Sequence, residues 1–144
     1  MKLKLNNDDL AEAFLEECLI FGIVAPVRNY QFVSSINRYM GCSFRLNNAL
    51  EIELRNKTRN YHFSIFEYEV PLTTNWYYLY HNQHMGEYLL PEVRHLDFLW
   101  MVRGDAVVDE DFQGLQQSIR NLPAVQFVSE LTPDKIKNKT NLIF

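Results

Sequence analysis

Three side chains that could do chemistry stand close together in one short segment of the chain. Glu92, His95 and Asp97 make up a set of two carboxylates and one imidazole. Such a set can bind a metal ion or transfer protons near neutral pH, because imidazole titrates there and carboxylates act as acids, bases and ligands. Glu92 and Asp97 are the candidate catalytic residues, and an enzyme or small-ligand site needs both of them in one pocket.

The elements predicted around these residues do not bring all three together. We predict a strand over Leu96 to Val102, in which Asp97 points to the face opposite its two neighbours. Glu92 and His95 then fall in the turn before that strand, so their convergence with Asp97 is not assured. A structural interpretation is therefore favoured, in which Pro91 fixes its φ angle, Glu92 accepts first-turn amide hydrogen bonds and Asp97 anchors a neighbouring loop.

The same segment resembles the signature of the IPExxxVDY family of small bacterial proteins. The six positions that carry the resemblance are Leu90, Pro91, Glu92, Leu96, Asp97 and Phe98. Three of them are identical to the signature, and Phe98 replaces its Tyr, so no hydroxyl is available there as a donor or acid. The resemblance extends to the layout of nearly the whole chain. It implies a fold, but it gives His95 no role and assigns no activity.

Composition predicts one globular α+β domain over residues 1–144. The length suits one hydrophobic core, and an apolar share of 47% is too high for a disordered chain. Aromatic residues make up 14% of the chain, and such side chains favour pleated surfaces. We therefore expect a mostly antiparallel sheet with two main helices packed on one face.

The net charge of −4 opposes nonspecific binding to nucleic acids and to anionic membranes. Acidic residues from Asp8 onward interrupt any export signal, and no apolar run reaches membrane-spanning length. The two cysteines, Cys18 and Cys42, are too few for a disulfide framework and indicate buried thiols. We expect a soluble, cytoplasmic protein without membrane contact.

Hydrophobic patterns place the first elements. Residues Cys18 to Val24 form a continuous apolar run, which is typical of a strand covered on both faces. A helix follows Pro26, with Tyr30, Val33, Ile36 and Met40 at helical spacing, and ends at Gly41. Leu50 to Arg55 alternates between apolar and charged residues, which predicts a half-exposed antiparallel strand. Its hairpin partner changes phase after Ile65, which predicts a bulge or bend there.

The later elements include two further strands, a helix and a closing strand. Trp76 to Tyr80 is apolar on both faces and predicts one strand, and Leu96 to Val102 predicts the other. Asp109 is a predicted N-cap for a helix that buries Phe112, Leu115, Ile119 and Leu122 and ends at Pro123. The closing strand contains Val125, Phe127 and Leu131. The apolar end of the chain, Leu142 to Phe144, is predicted to dock on the sheet or on a partner.

Other chemistry is sparsely represented in the sequence. His81 and His84 have the spacing of one helical turn, but no companion ligands accompany them, so we predict neither a metal site nor a cofactor. The common phosphate-loop, acyl-transfer and redox signatures are missing from the sequence. Trp76, Tyr78 and Tyr80 are candidate binding residues, because their rings could contact a protein or stack on single-stranded bases.

These observations leave three functions open. The first is a noncatalytic protein-interaction or adaptor module, whose partner is another protein or a second copy of the chain. The alternative is a small-ligand binder or cryptic enzyme that uses Glu92 and Asp97, with an unknown small molecule. The third is RNA association through the aromatic residues, which the acidic charge opposes.

Overall fold

The protein is described by a computed structural model over residues 2–56, 58–105, 107 and 112–143. Its strands, in chain order, are β1 (Cys18–Val24), β2 (Arg45–Asn56), β3 (Arg59–Glu69), β4 (Trp76–His81), β5 (Gln83–His84), β6 (Glu87–Tyr88), β7 (Phe98–Arg103) and β8 (Phe127–Glu130). Its helices are α1 (Lys2–Glu16), α2 (Asn29–Met40) and α3 (Gln113–Arg120), and short 3-10 turns span Pro91–Val93, Pro133–Lys135 and Lys139–Leu142. Six strands form one antiparallel sheet in the order β2-β3-β4-β7-β1-β8, and β5 and β6 form a separate hairpin.

Helices α2 and α3 pack on one face of the sheet, which we call the α2–α3 face. Phe32 and Ile36 of α2 and Ile119 of α3 are fully buried there, in one cluster with Phe21 and Trp100 of the sheet. The predicted class is confirmed: an α+β fold with a mostly antiparallel sheet and two helices on one face.

The opposite face, which we call the α1 face, has a cover that was not predicted. Leu15 of α1 and Leu142 of the last 3-10 turn are fully buried in one cluster with Tyr80 and Met101 of the sheet. Both faces of the sheet are therefore buried. No helix in the described ranges has the length and apolar character needed to cross a bilayer.

The alternation of apolar side chains along β3 switches between Ile65 and Phe66, and the structure gives this switch a different cause from the predicted one. Phe63 and Ile65 point to the α1 face, whereas Phe66 and Tyr68 point to the α2–α3 face, so both sets of side chains are packed without a bulge in β3. The irregularity lies in β2, where residues 47–50 stand opposite Ile65. The predicted β2–β3 hairpin is confirmed. An irregularity of the ladder is present at Ile65, as predicted, but it lies in β2, and the change of phase in β3 arises because that strand is covered on both faces.

Several element boundaries also differ from the predictions. Gly41 ends α2 in the left-handed conformation, at φ 69°, as predicted. Tyr30, placed on the buried stripe of that helix, is 58% exposed, and Phe32 takes its place in the core. β7 begins at Phe98, two residues later than expected. The N-cap predicted at Asp109 lies outside the described residues.

Both cysteines are free thiols. Cys18 donates a hydrogen bond to the carbonyl of Phe14 at 3.0 Å. Burial raises the pKa of Cys18 to about 11, and burial likewise raises the pKa of Cys42 to about 11. Both side chains are therefore protonated at neutral pH, which suits a packing role rather than a nucleophilic one.

Candidate functional site

The segment that carries the family-like motif is organised by a buried residue outside the motif. Asn82, which follows β4, is completely buried. Its side-chain amide donates to the carbonyls of Val93 at 3.2 Å and Leu96 at 3.0 Å, with a longer contact to Leu90 at 3.5 Å. Its side-chain oxygen accepts the N–H of Leu90 at 2.8 Å. One side chain therefore satisfies backbone groups at three points of the motif loop.

Glu92 connects the motif to the end of the described chain. One carboxylate oxygen accepts the backbone N–H groups of Lys137 at 2.7 Å and Asn138 at 2.9 Å. The other accepts the side-chain amide of Asn138 at 2.7 Å. Partial desolvation favours a raised pKa for Glu92, but the hydrogen bonds from Asn138 and Lys137 outweigh it and hold the pKa below its usual value.

Asp97 connects the motif to the end of β1. Its carboxylate accepts the backbone N–H of Ala25 at 2.8 Å. Its own N–H donates to the carbonyl of Ile23 at 2.8 Å, and its carbonyl accepts the N–H of Asn82 at 2.9 Å. Asp97 thus anchors the chain just after β1, which is the role that the structural interpretation of the sequence predicted for it.

The apolar motif positions pack in the core. Leu96 lies so close to Gly22 of β1 that any side-chain carbon at that glycine would collide with it. Phe98 is fully buried between the ring of Phe32, 4.4 Å away between centroids, and the imidazole of His81, 4.7 Å away. A phenylalanine therefore fills this position by stacking, without any need for a hydroxyl.

Glu92 and Asp97 do not form a common site. Each accepts hydrogen bonds from a different part of the backbone, and neither lines any of the four main clefts in the described part of the chain. His95 is exposed beside them. The enzyme or small-ligand alternative requires one pocket that contains both carboxylates, and none of these four clefts contains either of them.

A cleft of about 570 Å³ lies between α1 and the adjacent ends of β4 and β7. We call it the Trp76 cleft. Leu10 and Phe14 line it from α1, one helical turn apart, and Leu10 is 62% exposed. Trp76 and Tyr78 line it from β4, with their rings nearly parallel, 6.1 Å apart between centroids and inclined by 10°. Alternation along the strand places these two rings on the same face.

Arg103 forms part of the floor of the Trp76 cleft. In the sheet it lies between Cys18 of β1 and Trp76 of β4, its two cross-strand neighbours. Its guanidinium carbon stands 4.2 Å from the centroid of the Phe14 ring, which is a cation–π contact. The guanidinium is therefore already held against one aromatic wall of the cleft.

Two carboxylates complete the lining. Glu17 follows α1 and Asp105 follows β7, and both residues are exposed. The backbone N–H of Asp105 donates to the hydroxyl of Thr74 at 3.2 Å, which fixes the loop after β7 against the turn before β4. The cleft thus combines two carboxylates with the guanidinium of Arg103, so its formal charge is negative.

Tyr80, the third predicted binding residue, belongs to the core instead. It is completely buried on the α1 face, and its hydroxyl donates to the carbonyl of Leu142 at 2.9 Å. Burial raises the pKa of Tyr80 well above its usual value. Tyr78 lines the Trp76 cleft but is only 8% exposed, and it belongs to the core cluster of the α1 face. Of the three rings predicted to form an aromatic surface, Trp76 is therefore the one that is substantially open to solvent.

The two histidines with helical spacing lie in different strands and not on one helix. His81 ends β4 and is half-buried, and His84 lies in the short hairpin and is exposed. Burial lowers the pKa of His81, with an opposing effect from Asp97, so its imidazole is neutral at physiological pH. Among the described side chains, no group of three or more His, Cys, Asp or Glu residues is placed to hold a metal ion.

Comparison of the chain with family models, with curated proteins and with solved structures finds no match. The assignment of a function therefore depends on the geometry of the described residues. Within that geometry, the motif carboxylates are engaged in internal hydrogen bonds, and the Trp76 cleft presents aromatic rings and charged groups to solvent.

Sequence reasoning missed two parts of this arrangement. Asn82 stands between His81 and Gln83, a context that indicates a polar loop, and no local pattern shows that its amide is buried. The wall that Phe14 adds to the Trp76 cleft was missed because α1 was not predicted, and Arg103 was missed because the predicted strand ended one residue before it, at Val102. The spacing of Leu10 and Phe14 was an available signal, since an apolar pair four residues apart indicates one face of a helix.

Proposed function

We propose that this protein is a noncatalytic protein-binding module that contacts its partner through the Trp76 cleft. The observation that carries the proposal is the half-buried indole of Trp76, which stands in an open cleft beside the exposed side chain of Leu10. Tryptophan and tyrosine are enriched at the energetic centres of protein interfaces, where they combine a large apolar area with a polar atom.

The bonding of the motif carboxylates also supports a noncatalytic role. Glu92 accepts two backbone N–H groups, which help to hold its pKa below the usual value and make it a weaker general base, and Asp97 accepts the backbone N–H of Ala25. Their separate locations leave the small-ligand or enzyme alternative without a shared pocket. RNA association has less support, because the cleft is acidic and only two of the three predicted rings line it.

Peptide selection tests the proposal directly. Twelve-residue peptides from a random display library are selected on the immobilised protein, and their affinities are measured in solution by fluorescence anisotropy. We expect Trp76→Ala to weaken the selected peptides by at least about tenfold, as for a central interface tryptophan. Tyr39→Ala is the matched control, because Tyr39 is 59% exposed on α2, away from the cleft.

Three results would overturn the proposal. The selection could return no binding peptides, the peptides could bind Trp76→Ala as well as the original protein, or Tyr39→Ala could weaken them equally. Backbone amide shifts in NMR titrations add an independent check. They should change around Leu10, Trp76 and Asp105 and stay constant around Glu92.

We also propose membership of the IPExxxVDY family and a cytoplasmic location. Family membership is supported by identity to the signature at Pro91, Glu92 and Asp97. The cytoplasmic location is supported by the two free thiols, which suit a reducing compartment. A solved structure of an undisputed family member without a buried amide at the position of Asn82 would contradict the first. Recovery of the protein in a secreted or membrane fraction would contradict the second.

A further inference from the structure

The positive and negative groups that line the Trp76 cleft differ in their contacts with the rest of the protein. Arg103 is held against the Phe14 ring, and it acts on the Cys18 thiol through a side-chain hydrogen bond. By contrast, no ion pair of the described residues includes Glu17 or Asp105. The positive charge of the cleft is therefore committed to the floor, while two carboxylates at the rim face solvent.

We propose that the Trp76 cleft binds a basic side chain, an arginine or lysine that a partner protein presents next to an apolar residue. This inference rests on the proposed protein-binding function and names the chemistry of the partner. The partner's cation would stand over the indole face of Trp76, with the carboxylates of Glu17 and Asp105 at the rim beside it. The neighbouring apolar residue would pack on Leu10.

Three physical arguments support this partner. An indole is the strongest cation–π acceptor among the side chains, and the contact strengthens when the cation is partly desolvated in a cleft. The carboxylates of Glu17 and Asp105 outnumber the one guanidinium of the lining, Arg103, so the formal charge of the cleft still favours an incoming cation. The chain carries a net charge of −4, so its field attracts basic segments and repels acidic ones.

The test uses the peptides selected as described above. Each basic residue of a peptide is replaced in turn by glutamine, which keeps the length of the side chain nearly the same and removes the charge. We expect one such position per peptide whose replacement weakens binding by about tenfold. Because the substitution is in the peptide, the folding of the protein does not affect the result.

A double-mutant cycle then locates the cation. In the variant Glu17→Gln, Asp105→Asn, the same peptide replacement should weaken binding by less than about threefold, because the carboxylates that recognise the charge are gone. Glu53→Gln, Glu130→Gln is the matched control. It removes the same amount of charge from exposed carboxylates of β2 and β8, neither of which lines the Trp76 cleft, and it should leave the tenfold effect intact.

The outcomes separate this inference from the proposed function. Suppose that the peptides lose affinity in Trp76→Ala but keep it when each of their basic residues is replaced. This result would overturn the inference of a basic partner, and the proposed protein-binding function would still hold. Basic peptides could instead bind Trp76→Ala as tightly as the original protein, or lose the same affinity in both double charge variants. Either result would show that the peptides bind acidic residues outside the Trp76 cleft, and it would overturn the basic partner and the proposed function alike. A selection without peptides would also overturn both.

Discussion

The carboxylate of Glu92 and the amide groups of Asn138 form two hydrogen bonds across 46 residues of chain, at 2.9 Å to the backbone N–H and 2.7 Å to the side chain. With the third bond, from Lys137, they tie the motif loop to the segment after β8. We expect Glu92→Ala to lower the free energy of unfolding by about 1 kcal/mol, since the bonds are partly exposed. Urea denaturation measures the loss, and Glu69→Ala, at an exposed position of β3, should cost much less.

The contribution of Glu92 should depend on pH. Its pKa lies below the usual 4.5 in the folded protein, because the hydrogen bonds from Asn138 and Lys137 outweigh the opposing desolvation. The unfolded carboxyl group therefore takes up its proton first as the pH falls, so the stabilisation is present above about pH 4.5 and is lost as the pH passes through the folded-state pKa. Unfolding midpoints from pH 6 to pH 3 should show a narrowing gap between the original protein and Glu92→Ala. A constant gap would contradict the assignment.

Asn82 should be among the most sensitive positions of the chain. Asn82→Ala leaves the carbonyls of Val93 and Leu96 and the N–H of Leu90 without their partner in a dry environment. We expect a loss of about 3 kcal/mol or more, because unsatisfied buried groups cost about 1 to 3 kcal/mol each. Urea denaturation again measures the loss. The exposed Asn48→Ala is the control and should change stability by less than about 0.5 kcal/mol.

The hydroxyl of Tyr80 should hold the last 3-10 turn on the sheet. Tyr80→Phe keeps the ring in place and removes the donor to the carbonyl of Leu142, for which we expect a loss of about 1 to 2 kcal/mol. Hydrogen exchange should accelerate in residues 139–142 more than in β4 itself. Tyr39→Phe, on the exposed side of α2, should change neither quantity.

The close approach of Gly22 and Leu96 should appear as a coupling energy. Gly22→Ala forces a methyl group against the Leu96 side chain, and we expect a destabilisation of about 1 to 3 kcal/mol. The same substitution should cost clearly less in a Leu96→Ala background, because the colliding atoms are absent. Equal costs in the two backgrounds would place the strain elsewhere.

Patterns that depend on neighbouring residues allowed much of the sheet to be predicted. The apolar run Cys18 to Val24 has the same limits as β1, and the strand from Trp76 extends one residue further than predicted, to His81. The end of α2 at Gly41 also follows from a local requirement, since glycine adopts the left-handed conformation most easily. These features need no knowledge of distant contacts.

Features that depend on distant contacts were not predictable in the same way. The helix α1 buries only Ala11 and Leu15 completely or nearly so among its described side chains, so its apolar stripe is weak. The loop-anchoring role of Asp97 was predicted in kind. Glu92 was predicted to accept amide hydrogen bonds of the first turn, but its carboxylate accepts N–H groups of Lys137 and Asn138, far along the chain. The partners of the two carboxylates, at Asn138 and Ala25, could not be predicted because the pairing depends on the assembled fold.

The cover of the α1 face has a consequence for the order in which the protein assembles. Lys139 binds Glu12 of α1 at 2.7 Å, and Leu142 lies over Tyr80, so a surface made early in the chain is completed by residues near position 140. Until the ribosome has translated the segment after β8, the α1 face of the sheet is incompletely covered, and its aromatic side chains are exposed to water. Folding of that half is expected to finish only after release of this segment, and a nascent chain stalled before it would be prone to aggregate.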